Sequence, residues 1–148
     1  MRIARYTTAV LAVTSAAAAL TGALAGTATA QAATPCGSSA EACIDLSDNQ
    51  AWLMDDGAVS YGPVPITSGK PGYETPPGVF EVSYKDRDHR SRVYDNAPMP
   101  YSVFFNDGIA FHEGSLEEES HGCVRLSHEA AETFYYDLEP GDIVEVAP

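Results

Sequence analysis

Tyr101-Ser102-Val103-Phe104-Phe105-Asn106-Asp107-Gly108-Ile109-Ala110-Phe111-His112 is the stretch that decides the fold class. Two runs of aromatic and aliphatic residues flank Asn-Asp-Gly, and Asp-Gly accepts the positive φ angles that a tight antiparallel turn demands. The stretch therefore reads as a β-hairpin, with His112 standing at the end of its second strand.

Working toward the N-terminus, the same grammar repeats. Ile44-Asp45-Leu46 leads into Ala51-Trp52-Leu53-Met54, then Asp56-Gly57 turns the chain into Val59 to Ile66, where Pro63 and Pro65 mark an edge strand or an irregular stretch. Val79-Phe80-Glu81-Val82-Ser83-Tyr84 reads as one strand, and the charged stretch from Lys85 to Pro100 as a long surface loop. Toward the C-terminus, an acidic loop from Glu113 to Glu119 precedes Ser120-His121-Gly122-Cys123-Val124-Arg125-Leu126. Ser127 then caps a helix whose Ala131, Phe134, Tyr135 and Leu138 fall on one face, Glu129 complements its dipole, and Pro140-Gly141 ends it. A last strand covers Ile143 to Val146. The expectation from these runs is a mainly β domain with one α-helix, after Cys123, packed against the β core.

The chain has 148 residues with a formal charge of −13 and 45% hydrophobic residues, enough for one small domain. Arg2 and Arg5 precede an uncharged, Ala-rich run from Thr7 to Leu24, followed by the small-residue site Ala28-Thr29-Ala30. This layout reads as a secretory signal peptide over residues 1–30, removed to leave a secreted, extracytoplasmic protein with no stable membrane insertion. An uncleaved anchor is the competing reading, since a run of this length just spans a bilayer. Without Arg2 and Arg5, six basic residues face 21 acidic ones, so nucleic acid is excluded as a partner for want of a basic face.

Outside the cytoplasm, close cysteines are oxidised. Cys36 and Cys43 are separated by small and polar residues, so residues 31–42 read as a short segment stapled by a disulfide onto the domain at 43–148. Closing such a loop contributes about 2.5 kcal/mol by chain entropy. Cys123 is left over and needs an explanation.

Gly122 lets the chain turn sharply just before that thiol. A thiol becomes an effective nucleophile when an imidazole takes its proton, and both His112 and His121 are near enough in sequence to serve. Backbone amides around Gly122 and Cys123 are candidate oxyanion donors for acyl transfer. Taken singly, a cysteine is more often a small buried hydrophobe and a histidine a surface or satisfied core residue. A metal site built from His112, His121, Cys123 and His128 matches none of the usual ligand spacings, so no metal and no cofactor are expected. Glu117-Glu118-Glu119 lacks the alternating oxygen ligands of a calcium loop and reads as a solvated lid.

Ser120-His121-Gly122-Cys123-Val124-Arg125, with His112 upstream and Gly141-Asp142-Ile143-Val144-Glu145-Val146 at the end, resembles the L,D-transpeptidase catalytic domain, also called the YkuD domain. The resemblance runs from about Cys43 to Ala147 and includes Thr67-Ser68-Gly69 and Thr75-Pro76-Pro77-Gly78-Val79-Phe80. It implies a mainly β fold, a sandwich or barrel, and a cysteine enzyme acting on peptidoglycan stem peptides outside the membrane. In the family, the cysteine attacks a tetrapeptide stem at its third residue, expels the terminal D-alanine as a thioester forms, and a second stem's amine resolves it to a 3→3 cross-link.

Carried onto this chain, the resemblance makes Cys123 the nucleophile and His112 its base and ion-pair partner, with the Glu113 carbonyl orienting the ring. The amides of His121, Gly122 and Cys123 line the oxyanion hole, Ser120 and His121 shape the site, and Arg125 fills a position held by asparagine or arginine in relatives. It also implies acylation by carbapenem β-lactams. The link from His112 to Ser120 has seven residues, about half the usual number, which leaves an L,D-carboxypeptidase as an alternative outcome. A non-catalytic wall-binding module of the same fold is a third reading.

Overall fold

The computed structural model describes residues 33–148. The expected signal peptide lies outside the described residues. Among them, no helix is long and apolar enough to cross a membrane.

Among the described residues, nine strands and one helix follow one another as β1 Ala42–Asp45, β2 Gln50–Asp55, β3 Ala58–Pro65, β4 Gly78–Glu81, β5 Tyr84–Arg90, β6 Pro98–Asn106, β7 Ile109–Glu113, β8 Val124–Leu126, α1 His128–Asp137 and β9 Ile143–Ala147. They form two sheets, in the orders β3-β2-β1-β9-β4 and β5-β6-β7-β8. Neither sheet closes on itself, so of the sandwich and the barrel the fold is the sandwich. The turns that sequence places at Asp56-Gly57 and Asp107 have the required positive φ, at 47°, 79° and 47°. β3, with its two prolines, lies at a sheet edge.

One core joins both sheets to the helix. Ile44, Leu53, Val144 and Val146 from the first sheet meet Val103, Phe105, Phe111, Val124 and Leu126 from the second, with Ala131, Phe134 and Leu138 from α1. Alternate residues of β9 are buried, as a sheet with one dry face requires. Ser127 caps α1 by accepting from the Ala130 N–H at 3.2 Å. At the other end, Lys85 Nζ donates to the carbonyls of Tyr135 at 2.9 Å and Leu138 at 2.6 Å, supplying the positive charge that the last turn lacks.

Two expectations need correction. The run Val79 to Tyr84 is not one strand: it breaks at Val82 and Ser83, where the chain leaves the first sheet for the second, each residue donating its N–H to a different sheet connection. The supposed surface loop from Lys85 onward begins with β5, paired antiparallel to β6 from Tyr84↔Phe104 to Arg90↔Pro98. Most of β5 is solvent-exposed, so no apolar alternation announces it. The backbone pairing supplies what the side-chain pattern does not.

That pairing has one irregularity. Arg87 and Tyr101 drop out of an otherwise continuous register, and Tyr101 has φ 56°. A left-handed backbone at a bulky residue costs about 1–2 kcal/mol. Tyr101 is held there by a hydroxyl donated to Glu132 at 3.2 Å and by edge packing on Tyr135, Tyr136 and His128.

The Cys36–Cys43 disulfide is formed across seven residues of sequence. It anchors the segment before β1, which the Gly37 N–H also fastens to Glu145 Oε2 at 2.8 Å.

Candidate active site

The site depends on a parallel pairing. β8 runs beside β7 with Phe111 opposite Val124 and His112 opposite Arg125. Cys123 immediately precedes β8, so its thiol falls beside the turn that starts β7. There Sγ donates to the Gly108 carbonyl at 3.7 Å and packs against Met99, Phe104 and Ala110. His112 and Cys123 line one cleft of about 710 Å³, together with Ser120, His121 and Arg125.

The His112 ring is buried, and its Nδ1 lies 2.7 Å from the Glu113 carbonyl. A carbonyl only accepts, so Nδ1 carries the proton and Nε2 keeps its lone pair, the form a general base requires. Burial lowers the His112 pKa below its ordinary 6.5, a shift only partly opposed by the Glu113 carbonyl and reinforced by Arg125 and His89. Burial likewise raises the Cys123 thiol above 9.0, opposed by a backbone hydrogen bond from Ala110 and by Arg125. Desolvation thus acts on each group in the direction of its neutral form.

The loop that presents the thiol is tied down through Ser120, Gly122 and the Cys123 carbonyl. Ser120 donates its N–H to the Ser68 carbonyl at 2.8 Å, and its own carbonyl accepts from the Lys70 N–H at 3.0 Å. Its hydroxyl donates to the Cys123 carbonyl and accepts from the Gly122 N–H at 3.0 Å. The Gly122 amide is thus engaged within the loop, which corrects its assignment as an oxyanion donor. Among the described residues, the N–H groups of His121 and Cys123 have no such acceptor and remain the candidate donors. Gly122 itself has φ 117°, a conformation reserved for glycine.

Thr75, which sequence reasoning did not single out, is the buried clasp of this arrangement. Its hydroxyl donates to the Gly122 carbonyl at 2.7 Å and accepts from the Gly69 N–H at 3.0 Å. A side chain at Gly69 would put Cβ 1.9 Å from the Tyr73 carbonyl oxygen, so the turn from Gly69 to Thr75 closes only around glycine.

The short acidic loop is held rather than free. Arg125 donates to the Glu118 carbonyl at 2.8 Å, Thr67 to the Ser115 carbonyl at 2.8 Å, and Ser115 Oγ caps the amides of Glu117 and Glu118. Arg125 therefore braces the loop while one side of it faces the cleft.

The far wall comes from β5 and the turn that joins it to β6, the region sequence analysis took for a loop. Tyr94 stacks on the His121 ring with centroids 4.3 Å apart, and Tyr73 meets the same ring edge-on at 4.7 Å. The His121 ring is thus gripped between two loops. His89 also faces the cleft, with Nδ1 2.9 Å from Asp86 Oδ2. Neither Tyr94 nor His89 carried a sequence signal, because both lie in a charged stretch without apolar rhythm. His128 sits away from this group, paired with Glu113 at 2.8 Å, and no group of three or more potential metal ligands gathers among the described residues.

Residues 39–146 match the family model of the L,D-transpeptidase catalytic domain, YkuD. The chain is 31% identical over 107 residues to the probable L,D-transpeptidase 3 of Mycobacterium tuberculosis, covering 57% of this chain and 38% of that protein. It superposes on an L,D-transpeptidase from Stackebrandtia nassauensis with a TM-score of 0.69 and 31% identity, over 72% of this chain and 54% of the other. L,D-transpeptidase 3 from Mycobacterium tuberculosis, in complex with a faropenem-derived adduct, gives a TM-score of 0.66 and 25% identity over 72% and 60% of the two chains. The chain spans less than two thirds of the length of each of these relatives. The matched span contains both sheets, the helix and the whole Cys123 loop, and on that ground the chain belongs to the L,D-transpeptidase catalytic domain family.

Proposed function

We propose that this protein is a secreted L,D-transpeptidase that forms 3→3 peptidoglycan cross-links through a thioester on Cys123. The observation that carries the reading is the placement of Cys123 and a correctly tautomerised His112 in one cleft, fed by parallel β7 and β8.

In the first half-reaction, His112 Nε2 takes the thiol proton as Sγ bonds to the carbonyl carbon of the stem's third residue. The His121 and Cys123 amides stabilise the oxyanion. The C–N bond then breaks, the proton passes from His112 to the departing D-alanine amine, and the thioester remains. An amine of a second stem next attacks the thioester, and the thiol is regenerated. Arg92 and Arg125 line the cleft of a chain with few basic residues, which suits stem peptides bearing carboxylates. Acylation by β-lactams is proposed on the same thiol, supported by the relative with the faropenem-derived adduct.

The short link between His112 and Ser120 favours one alternative, hydrolysis of the same thioester by water, which would make the protein an L,D-carboxypeptidase. Incubation with a disaccharide tetrapeptide followed by product analysis tests the proposal. Cross-linked dimers support transfer, tripeptide alone supports the carboxypeptidase, and absence of both products rejects each.

A further inference from the structure

The cleft contains an imidazole for which acylation has no use. His89 lies edge-on over Phe104, with ring centroids 4.8 Å apart, and Phe104 in turn packs in the same small cluster as Cys123. Its side chain is 16% exposed, so it is a wall of the cleft rather than a solvated surface group. Asp86 Oδ2, 2.9 Å from Nδ1, fixes the tautomer and provides a counter-charge, leaving Nε2 as the proton-accepting atom.

Local geometry has been bent to make this pair. Residues three apart on a regular strand point to opposite faces, so Asp86 and His89 should not meet. They meet on either side of Arg87, whose pairing with the left-handed Tyr101 is missing from the β5–β6 ladder. Strained backbone of this kind persists where surrounding structure enforces it, and it gathers at functional sites.

The chemistry of the second half-reaction supplies a use, on the reading that the protein is a transpeptidase. After acylation His112 is neutral again, having passed the thiol proton to the departing amine. The acceptor amine arrives as an ammonium ion and must lose two protons to become an amide nitrogen. One returns to Sγ as the C–S bond breaks and the C–N bond forms, and His112 carries it. The other has no destination in the Cys123–His112 pair. We propose that the Asp86–His89 pair accepts this second proton, from the acceptor ammonium, and so makes His89 a proton acceptor for the transfer step alone.

The test separates the half-reactions in His89→Gln and Asp86→Asn. Acylation by a carbapenem involves no acceptor amine, so each variant's own acylation rate is the reference against which its transfer step is read, and it also reports an intact fold. Transfer from a tetrapeptide donor to an ammonium-bearing stem should fall about 100-fold in His89→Gln and less in Asp86→Asn, with tripeptide accumulating in place of dimer. Replacing the stem acceptor with hydroxylamine, which is uncharged at neutral pH, should bring both variants back to the wild-type transfer rate. Equal losses with both nucleophiles, or wild-type transfer to the stem, would overturn the inference. A wild-type protein that forms no acyl-enzyme at all would instead overturn the transpeptidase reading on which the inference rests.

Discussion

The Thr75 hydroxyl reaches 2.7 Å to the Gly122 carbonyl across 47 residues of sequence, and this buried bond holds the loop that presents Cys123. It connects a turn-rich stretch with no chemistry of its own to the residue on which the chemistry depends. The same hydroxyl accepts from Gly69, so removing it strands a donor and an acceptor at once.

Thr75→Val should therefore lower stability by about 2 kcal/mol, because it keeps the shape and leaves two buried polar groups unpaired. Denaturant unfolding measures the loss, and carbapenem acylation of the folded variant should slow as the loop loosens. Unchanged values in both would remove the clasp from the account.

The rate of acylation should be level from about pH 6.5 to 9, since His112 is held below 6.5 and Cys123 above 9.0 by burial. The acid limb should begin below pH 6.5, where His112 finally takes a proton. Stability follows the same sign. A ring whose pKa is lowered by folding binds its proton more readily in the unfolded chain, so this contribution is complete above pH 6.5 and is lost as the pH falls. An acid limb above pH 6.5 in the acylation profile would contradict the downward shift at His112.

Much of this fold was legible in the sequence, for reasons that differ along the chain. Asp56-Gly57 and Asp107-Gly108 each demand a turn whose twist only a hairpin satisfies, so β2–β3 and β6–β7 follow from local chemistry. Parallel pairing has no such signature. Nothing local places β9 between β1 and β4 or sets β8 beside β7, although the second pairing makes the site. β5 stayed hidden because its charged residues face solvent on a projecting edge strand. Cys123 drew notice as an unpaired thiol after glycine, whereas the chemistry alone left His112 and His121 both open as its base and only the family resemblance chose between them. Thr75, Tyr94 and His89 reach the site only through long-range packing, which leaves no periodic trace.

Lys85→Met should lower stability by about 1–2 kcal/mol by removing the charge that completes the C-terminal end of α1. The side chain is 15% exposed, so added salt should screen the effect only weakly. Thermal unfolding at low and high salt measures it, and acylation of Cys123 should stay at the wild-type rate.

Replacing Cys36 and Cys43 together by Ala should cost about 2.5 kcal/mol, the entropy of an open loop of this length. The cleft lies on the other sheet, so the folded variant should acylate normally. A large loss of acylation without a loss of stability would mean that the staple reaches the site.

The central claim is that Cys123 is the sulfur that becomes acylated, with His112 taking its proton. Intact-mass measurement after incubation with a carbapenem tests it most directly. The wild type should gain one stoichiometric adduct, Cys123→Ala should gain none, and His112→Ala should gain it slowly. An adduct of equal mass and rate on Cys123→Ala, or none on the folded wild type, would contradict the account.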